Sequence, residues 1–422
     1  MGLTMKEKQA VTKQLALEYK RATKKEKGKI LDSVIQLTQY NRAYAARVLR
    51  RRARATVLGR GTAGGVRVTL VEDERTKRRK KPRNRPREYG QEVLVPLRKI
   101  WGICDGICGK RLGPYLTEIV PTLERLGELT IDDAVRRKLM AISPATIDRL
   151  LAVVRKRYQL RSRSNTKPGT LLKHQIPIRT FSDWDEGRPG FVEIDLVSHE
   201  GGDPHGDYVH TLDATDVCTG WTETEAVRNR AQVWVFAGLE KAQARFPFEI
   251  RGIDSDNGSE FINNHLFRYC DENKITFTRS RPYRKNDNCF VEQKNYSVVR
   301  RAVGYRRYDT ARELEGLNEL YAVLRLYTNF FQPVMKLIEK TRTGSKVKKK
   351  YDRARTPYQR VRESGFIPPE AKEALKETYA TLNPVKLSRE VSRLQDRLDA
   401  LARAKSEAKQ SEQNVNLEYI PT

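Results

Sequence analysis

The spacing of apolar positions changes along the chain, from helical in the flanks to alternating strands and helices in the middle. In residues 23–52, apolar side chains recur at intervals of three and four residues, a pattern typical of amphipathic helices. Residues 190–303 instead read as three strands followed by helix, strand, helix, strand and helix. This order predicts an α/β fold with a mixed five-stranded sheet.

The same changes of pattern divide the chain into domains. Two stretches rich in Lys and Arg have too few apolar residues to form a core and are expected to be linkers. The predicted division is a helix-turn-helix domain at 1–60, a basic linker at 61–87, a second helical, helix-turn-helix-like domain at 88–160, a linker at 161–184, an α/β core at 185–308, a helical basic region at 309–405 and a disordered tail at 406–422.

The first helical flank contains two short helices joined by a tight break. Thr23 and Glu26 have the spacing of a capping box, and Asn41 can cap the second helix. A short basic helix after a tight turn suits the major groove of DNA, while a plain helical hairpin with a solvated basic face is the alternative. The residues expected to contact DNA here are Arg42, Arg47, Arg50 and Arg51.

Two further basic segments are candidates for DNA contact. Ser143 and Pro144 form a strong helix start, and the following amphipathic helix points basic residues outward, for groove reading or for ordinary packing. The first linker is expected to follow phosphates with little sequence readout. The candidate residues are Arg149 and Arg155 on the helix, and Lys77, Arg78, Arg79, Lys80 and Lys81 in the linker.

Charge points to a polyanionic partner. The 422-residue chain has a formal net charge of +29, which indicates nucleic acid first and an anionic membrane surface second. No run of about 18 apolar residues predicts a membrane span, and the polar N-terminus lacks a signal core, so we expect a cytoplasmic protein. The 5 cysteines are scattered and odd in number, which argues against a disulfide framework.

The middle of the chain departs from this basic character. Residues 185–301 contain 15 Lys and Arg against 20 Asp and Glu, so the positive charge lies in the flanks. A basic protein with an acidic centre suggests parts that grip DNA around a region that needs carboxylates. This is the first indication of a metal site.

Three acids stand out by position. Asp195 lies inside an otherwise apolar strand, where a buried carboxylate is costly unless it meets a cation. Asp256 closes a later strand, and Glu292 begins a helix after a polar stretch. Two carboxylates on strands and one on a helix can converge at one end of a sheet. Phosphoryl transfer uses such oxygen ligands to hold two Mg²⁺ ions about 4 Å apart.

Neighbouring acids compete for these roles. Glu193 shares the strand face of Asp195 and could support it, although a salt bridge is the simpler role. Asp254 alternates with Asp256 and is expected to be structural, with a smaller chance of being the true ligand. Asp213 and Asp216 are expected at turns or at the rim.

The last helix of the core has one face shared with Glu292. Asn295 and Arg300 lie three and eight residues after Glu292 and are expected to touch DNA, with packing as the alternative. Lys294 and Arg301 are expected on the opposite side.

Spacing and flanking residues around two of the acids resemble a known family. Asp256 and Glu292 are separated by 35 residues, and the segments 255–261 and 286–295 are similar to those of bacterial insertion-sequence transposases with a retroviral-integrase-type DDE core. The resemblance covers roughly residues 185–305. It implies an RNase H-like fold, Mg²⁺ or Mn²⁺ as cofactor, terminal-repeat DNA as substrate, and action as a multimer.

The expected function is therefore that of a transposase with Asp195, Asp256 and Glu292 as catalytic metal ligands. It would bind the double-stranded ends of its element, hydrolyse the 3′ phosphodiesters and join the 3′-hydroxyls to target DNA, as a dimer or larger homo-oligomer and without a membrane. A transposase-derived DNA-binding regulator without catalysis is the alternative, and an RNase H-type nuclease is a second one. Leu387, Leu394 and Leu401 have heptad spacing that favours pairing with another chain or a solvated helix.

Overall fold

The structure is a computed structural model that forms two compact units, Met1–Glu88 and Tyr89–Thr422. The described residues are 3–52, 56–63, 66–72, 88–155, 187–255, 261, 264–279, 289–343 and 346–418.

The first unit begins with three helices that pack around a small core. They are α1 (Met5–Arg21), α2 (Lys24–Thr38) and α3 (Arg42–Arg52). Both α2 and α3 lie where the apolar spacing predicts, with Thr23 capping α2 and the Asn41 side chain accepting from the Ala43 N–H at 2.9 Å. Helix α1 is missing from the prediction, although Thr4 and Glu7 form a capping box there.

Part of the predicted basic linker is a β-hairpin. Its strands are β1 (Thr56–Ala63) and β2 (Val66–Glu72), which pair antiparallel. The prediction of a linker is therefore wrong over residues 61–72 as far as they are described. The β-branched residues of β2 explain the difference, because they favour strands even in a basic context.

The second unit starts with four helices that share one hydrophobic core with the α/β part. Helix α7 begins at Pro144, and Ser143 Oγ accepts from the Thr146 N–H at 3.2 Å, so the helix start read from the sequence is confirmed. The four helices are α4 (Gln91–Ile103), α5 (Gly109–Arg125), α6 (Asp133–Ala141) and α7 (Pro144–Arg155).

A mixed five-stranded sheet follows, as predicted. Its strand order is β5-β4-β3-β6-β7; β3 is antiparallel to β4 and parallel to β6. The elements are β3 (Phe191–Ser198), β4 (His210–Asp216), β5 (Thr222–Val227), α8 (Gln232–Gln243), β6 (Gly252–Ser255), α9 (Asn264–Glu272), β7 (Thr276–Arg279), α10 (Cys289–Lys294), a π-helical segment (Asn295–Arg300) and α11 (Arg301–Val303).

Strands β4 and β5 are buried on both faces, although several of their side chains are acidic. Glu223 is fully buried and accepts from Arg325 at 2.6 Å, from Arg245 at 3.2 Å and from the Trp221 indole at 2.8 Å. A buried carboxylate with several charged donors is compensated for its lost hydration. This group is therefore structural and ties β5 to helix α12 and to the segment after α8.

The C-terminal region is helical except for one hairpin. The basic run at 340–355, predicted within a helical region, is largely strand. The elements are α12 (Ala311–Phe331), β8 (Leu337–Thr343), β9 (Lys346–Tyr351), α13 (Pro357–Glu363), α14 (Pro369–Thr381) and α15 (Pro384–Glu418).

Helix α15 corrects two expectations. Leu394 and Leu398 are buried against α12 of the same chain, where a Cβ on Gly316 would lie 3.0 Å from Leu398, so the leucine spacing serves internal packing. The helix also continues to Glu418, so the prediction of a disordered tail from residue 406 is wrong up to that residue. Residues 406–418 contain three Glu and two Gln, which favour helix, and they contain neither Gly nor Pro.

Within the described residues, helices that combine the length and the apolar character needed to cross a membrane are absent.

Candidate active site

Asp195 lies in the middle of β3, the central strand of the sheet, and is half-buried. Its Oδ1 accepts from the Leu196 N–H at 2.8 Å. Its Oδ2 accepts from the Asn295 side-chain amide at 2.6 Å. The strand therefore presents this carboxylate toward the helix that carries Glu292.

Glu193, two residues earlier on the same strand, holds the start of that helix. It is fully buried, and its Oε2 accepts from the backbone N–H groups of Phe290 at 2.9 Å and Val291 at 3.0 Å. The first N–H groups of a helix have no partner within the helix, and a carboxylate there also meets the positive end of the helix dipole. Glu193 thus supports the site by capping the helix that carries Glu292.

Glu292 is exposed near the start of α10, one turn before Asn295. Since Asn295 contacts Asp195, the helix brings the Glu292 end of α10 to the Asp195 strand. The next turn is π-helical, with the Arg301 N–H bonded to the Tyr296 carbonyl. Such wide turns often occur at functional sites. Because of this turn, the side chains after Asn295 do not follow the regular α-helical spacing from Glu292.

Lys294 shows the effect of this packing. It lies only 5% exposed against the sheet, where its charge interacts with that of Asp213. Burial raises the pKa of Asp213 and lowers the pKa of Lys294, and each charge opposes the shift in the other. Asp213 is fully buried directly opposite Asp195 in the β3–β4 register, so the expectation of a turn or rim position is wrong for it.

Two other acids have structural contacts. Asp216 accepts from the Thr219 N–H at 2.6 Å and from the Gly190 N–H at 2.8 Å, which confirms its turn role. Asp254 is fully buried and accepts from the Thr278 hydroxyl at 2.5 Å. That contact agrees with the structural role expected for Asp254.

Asp256 follows directly after β6, which ends at Ser255, but lies outside the described residues. In the part of the chain that the structure describes, no three His, Cys, Asp or Glu side chains cluster in a way that could hold a metal ion. The predicted third ligand is therefore known here only from its place in the sequence.

Comparison with known proteins gives the family. The model of the integrase core domain matches residues 185–285. The uncharacterized protein y4rM of Sinorhizobium fredii is 39% identical over 333 residues, which is 79% of this chain and 89% of that protein. The chain belongs to the same family as y4rM and contains an integrase core domain.

Solved structures similar to this integrase-core protein are retroviral integrase domains. The catalytic core of BIV integrase is 15% identical and covers 45% of this chain and 98% of that chain, with a TM-score of 0.28. The catalytic core of HTLV-2 integrase, in a dimeric form with magnesium, is 12% identical and covers 35% of this chain and 90% of that chain, with a TM-score of 0.26. At these scores the superpositions carry no argument of their own. The fold of the core rests on the family match and on the observed sheet order.

The donor set of the integrase core fits a divalent cation. Asp195 and Glu292 offer carboxylate oxygens, the hard ligands that Mg²⁺ and Mn²⁺ prefer. Beside Asp195, the Oδ1 of Asn295 is buried and lacks a hydrogen-bond partner among the described residues. A hydrated cation held by Asp195 would supply that partner.

The residues expected to touch DNA divide into those with free surface and those used within the protein. Arg42, Arg47, Arg50 and Arg149 are exposed, although Arg42 pairs with Asp32. The side chain of Arg51 and all of Lys77, Arg78, Arg79, Lys80 and Lys81 lie outside the described part.

Three of the residues expected to touch DNA form contacts within the protein instead. Arg155 is half-buried and pairs with Asp148 at 2.7 Å. Arg300 donates to the Ser198 carbonyl at 2.7 Å and stacks on the Tyr305 ring. Asn295 binds Asp195. Their donors are engaged inside the protein, so these three are not part of the DNA surface proposed below.

Proposed function

We propose that this integrase-core protein is a transposase. It binds the ends of its element, hydrolyses the phosphodiester at each 3′ end and transfers the 3′-hydroxyl to target DNA. The family implies polynucleotidyl transfer; the element ends, the target and the homo-oligomer of at least two chains in the cytoplasm are part of the proposal. A basic chain with an acidic core suits such DNA substrates.

One observation carries the proposal: the Asp195 carboxylate bonds to Asn295, one helical turn after Glu292. This contact joins the two carboxylate-bearing elements that the transposase motif requires. Asp256, which follows the adjacent strand β6 in the chain, would complete the set.

Each side chain then has a role. Asp195, Asp256 and Glu292 would hold the cations, with two per site as the expected number. When bound, divalent cations would lower the pKa of the attacking water or 3′-hydroxyl and stabilise the leaving 3′-oxygen. Asn295 orients the Asp195 carboxylate, and Glu193 fixes the start of the helix on which Glu292 stands. The protein therefore contributes preorganised oxygen ligands and no covalent nucleophile.

Replacement of the proposed ligands tests this function. We expect Asp195→Asn, Asp256→Asn and Glu292→Gln each to reduce end cleavage and strand joining roughly 1000-fold or more, because the group acts as a unit. Labelled duplex ends from the DNA that flanks the gene and a supercoiled target, assayed with Mg²⁺, give the measurement. Glu249→Gln, an exposed change on the same core, is the matched control.

The same assay separates the alternatives. Joined products from the unaltered protein support the transposase, hydrolysis without joining supports a nuclease, and binding without either supports a regulator. Strand joining by the Asp195→Asn protein at the unaltered rate would remove Asp195 from the site.

A further inference from the structure

The paired strands β8 (Leu337–Thr343) and β9 (Lys346–Tyr351) are a strongly charged feature of the second unit; we name these two strands the arm. It contains six Lys and Arg and one Glu. Apolar side chains on the arm are also exposed, with Ile338 at 61% and Val347 at 46%. A two-stranded ribbon that buries so little is marginal by itself, so its surface is available for a partner.

The base of the arm is held firmly by the protein. The Lys336 N–H donates to Asp352 Oδ1 at 2.7 Å, and the Asp352 N–H donates to the Lys336 carbonyl at 2.9 Å. Arg360, whose side chain is 9% exposed, pairs with Asp352 at 2.7 Å. These contacts fix the direction in which the arm leaves the core, and a ribbon with a fixed root loses less freedom on binding.

The register places one pair of like-charged residues, and one pair of opposite charge, across the two strands. Lys340 faces Lys349 across the strands, and Thr341 faces Lys348. A cross-strand pair of like charges destabilises a sheet, and Glu339 opposite Lys350 is the one acid of the arm. The arm therefore carries a charge that its own residues do not balance, and a polyanion would balance it.

The geometry of the arm fits duplex DNA. Successive residues on one strand face are about 6.7 Å apart, so Lys348 and Lys350 form a row of cations rather than a point charge. The seven residues of β8 extend about 23 Å, roughly the axial length of seven base pairs. The major groove is wide enough to admit a two-stranded ribbon.

We propose that the arm binds double-stranded DNA through its phosphates, as a second DNA-binding element outside the active site. Lys336 Nζ donates to the Cys218 carbonyl at 3.1 Å, in the turn between β4 and β5. That turn lies at the end of the sheet where β3 and β6 begin, whereas Asp256 follows the other end of β6. The arm consequently holds the duplex away from the reacting phosphate. It contributes to the affinity for DNA and not to the chemical step.

This inference rests on the proposed function in that the duplex is the DNA to be joined, but its test needs no catalysis. Binding of the full-length protein to a 30-base-pair duplex of arbitrary sequence is measured by fluorescence anisotropy over a range of salt concentrations. The variant K348Q/K349Q/K350Q removes three charges from the arm. The control K372Q/K376Q/K386Q removes three charges from α14 and the start of α15.

We expect the arm variant to bind about 10-fold or more weakly and to lower the slope of log K against log salt by up to about 2.7, since each phosphate contact contributes roughly 0.9. K348R/K349R/K350R should restore both quantities. Equal affinity and slope for the arm variant and its control would overturn the proposal. An arm variant that keeps its affinity for DNA but loses binding to anionic lipid vesicles would also overturn it, because the arm would then bind membranes and not DNA.

Failure of the two proposals is distinguishable. If no strand joining occurs but the arm variant loses duplex binding, the arm proposal is supported and the transposase proposal is rejected. If joining occurs and the arm variant binds DNA as its control does, the transposase proposal is supported and the arm proposal is rejected.

Discussion

The acids of the five-stranded sheet and the cations of the arm differ in what balances their charge. Glu193 and Glu223 are fully buried and accept hydrogen bonds from backbone or guanidinium groups of the same chain. Lys348, Lys349 and Lys350 are exposed on a ribbon that contains six Lys and Arg but one Glu. The buried acids Glu193 and Glu223 are thus balanced within the chain, whereas the arm carries an excess of positive charge that a partner could balance.

The largest effect on folding is expected where the sheet buries two opposite charges near the site. Lys294→Met should lower the free energy of unfolding by about 3 kcal/mol, because it leaves the buried Asp213 carboxylate without its cation. The double variant D213N/K294M should recover most of this loss. Urea unfolding of the full-length protein measures the coupling, and a cost below about 0.5 kcal/mol for Lys294→Met would show that the two charges are independent.

A smaller loss is expected at the helix cap. Glu193→Gln keeps one oxygen but loses the charge, so stability should fall by about 2 kcal/mol, as for hydrogen bonds to a charged acceptor. Hydrogen exchange of the Phe290 and Val291 amides should become faster, and strand joining should weaken as the start of the Glu292 helix loosens. The exposed change Glu249→Gln should alter neither property. Unchanged exchange at both amides would contradict the capping role.

The smallest effect on stability is expected in the arm. K348Q/K349Q/K350Q should change the free energy of unfolding by less than about 0.5 kcal/mol, because exposed charges contribute little and Lys349 faces Lys340. The same urea measurement applies. A loss above about 1 kcal/mol would mean that the arm is part of the folded core, and the contrast with the sheet would fail.

Elements with local signals are the ones that could be predicted. Helix α2 follows from its capping box, α7 from Ser143 and Pro144, and the sheet from its alternating apolar runs. The β8–β9 hairpin was missed because its basic residues resemble linker or helix composition. The β1–β2 hairpin was missed although it has only two Arg and several β-branched residues. Helix α1 had a local signal in Thr4 and Glu7 that could have revealed it.

The candidate site shows the same division. Asp195 follows from one acid in an apolar strand, and Glu292 from its motif. Glu193 caps the helix at Phe290, and Asn295 contacts Asp195; each contact joins residues about one hundred positions apart. Neither contact, nor the burial of Lys294, can be read from local spacing. Their helix also contains a π-helical turn, which the regular spacing of residues did not reveal.

By itself, then, the sequence predicted the order of elements in the α/β core, the three candidate acids and a polyanionic partner for a chain of net charge +29, because these depend on residue type and short-range spacing. Only the tertiary structure decided which charges are balanced within the chain and which face outward. Balance requires a partner within hydrogen-bond distance, and such partners are set by strand register and helix packing. That is why Asp213, expected at the rim, lies buried opposite Asp195, and why the basic run after α12 forms an exposed arm.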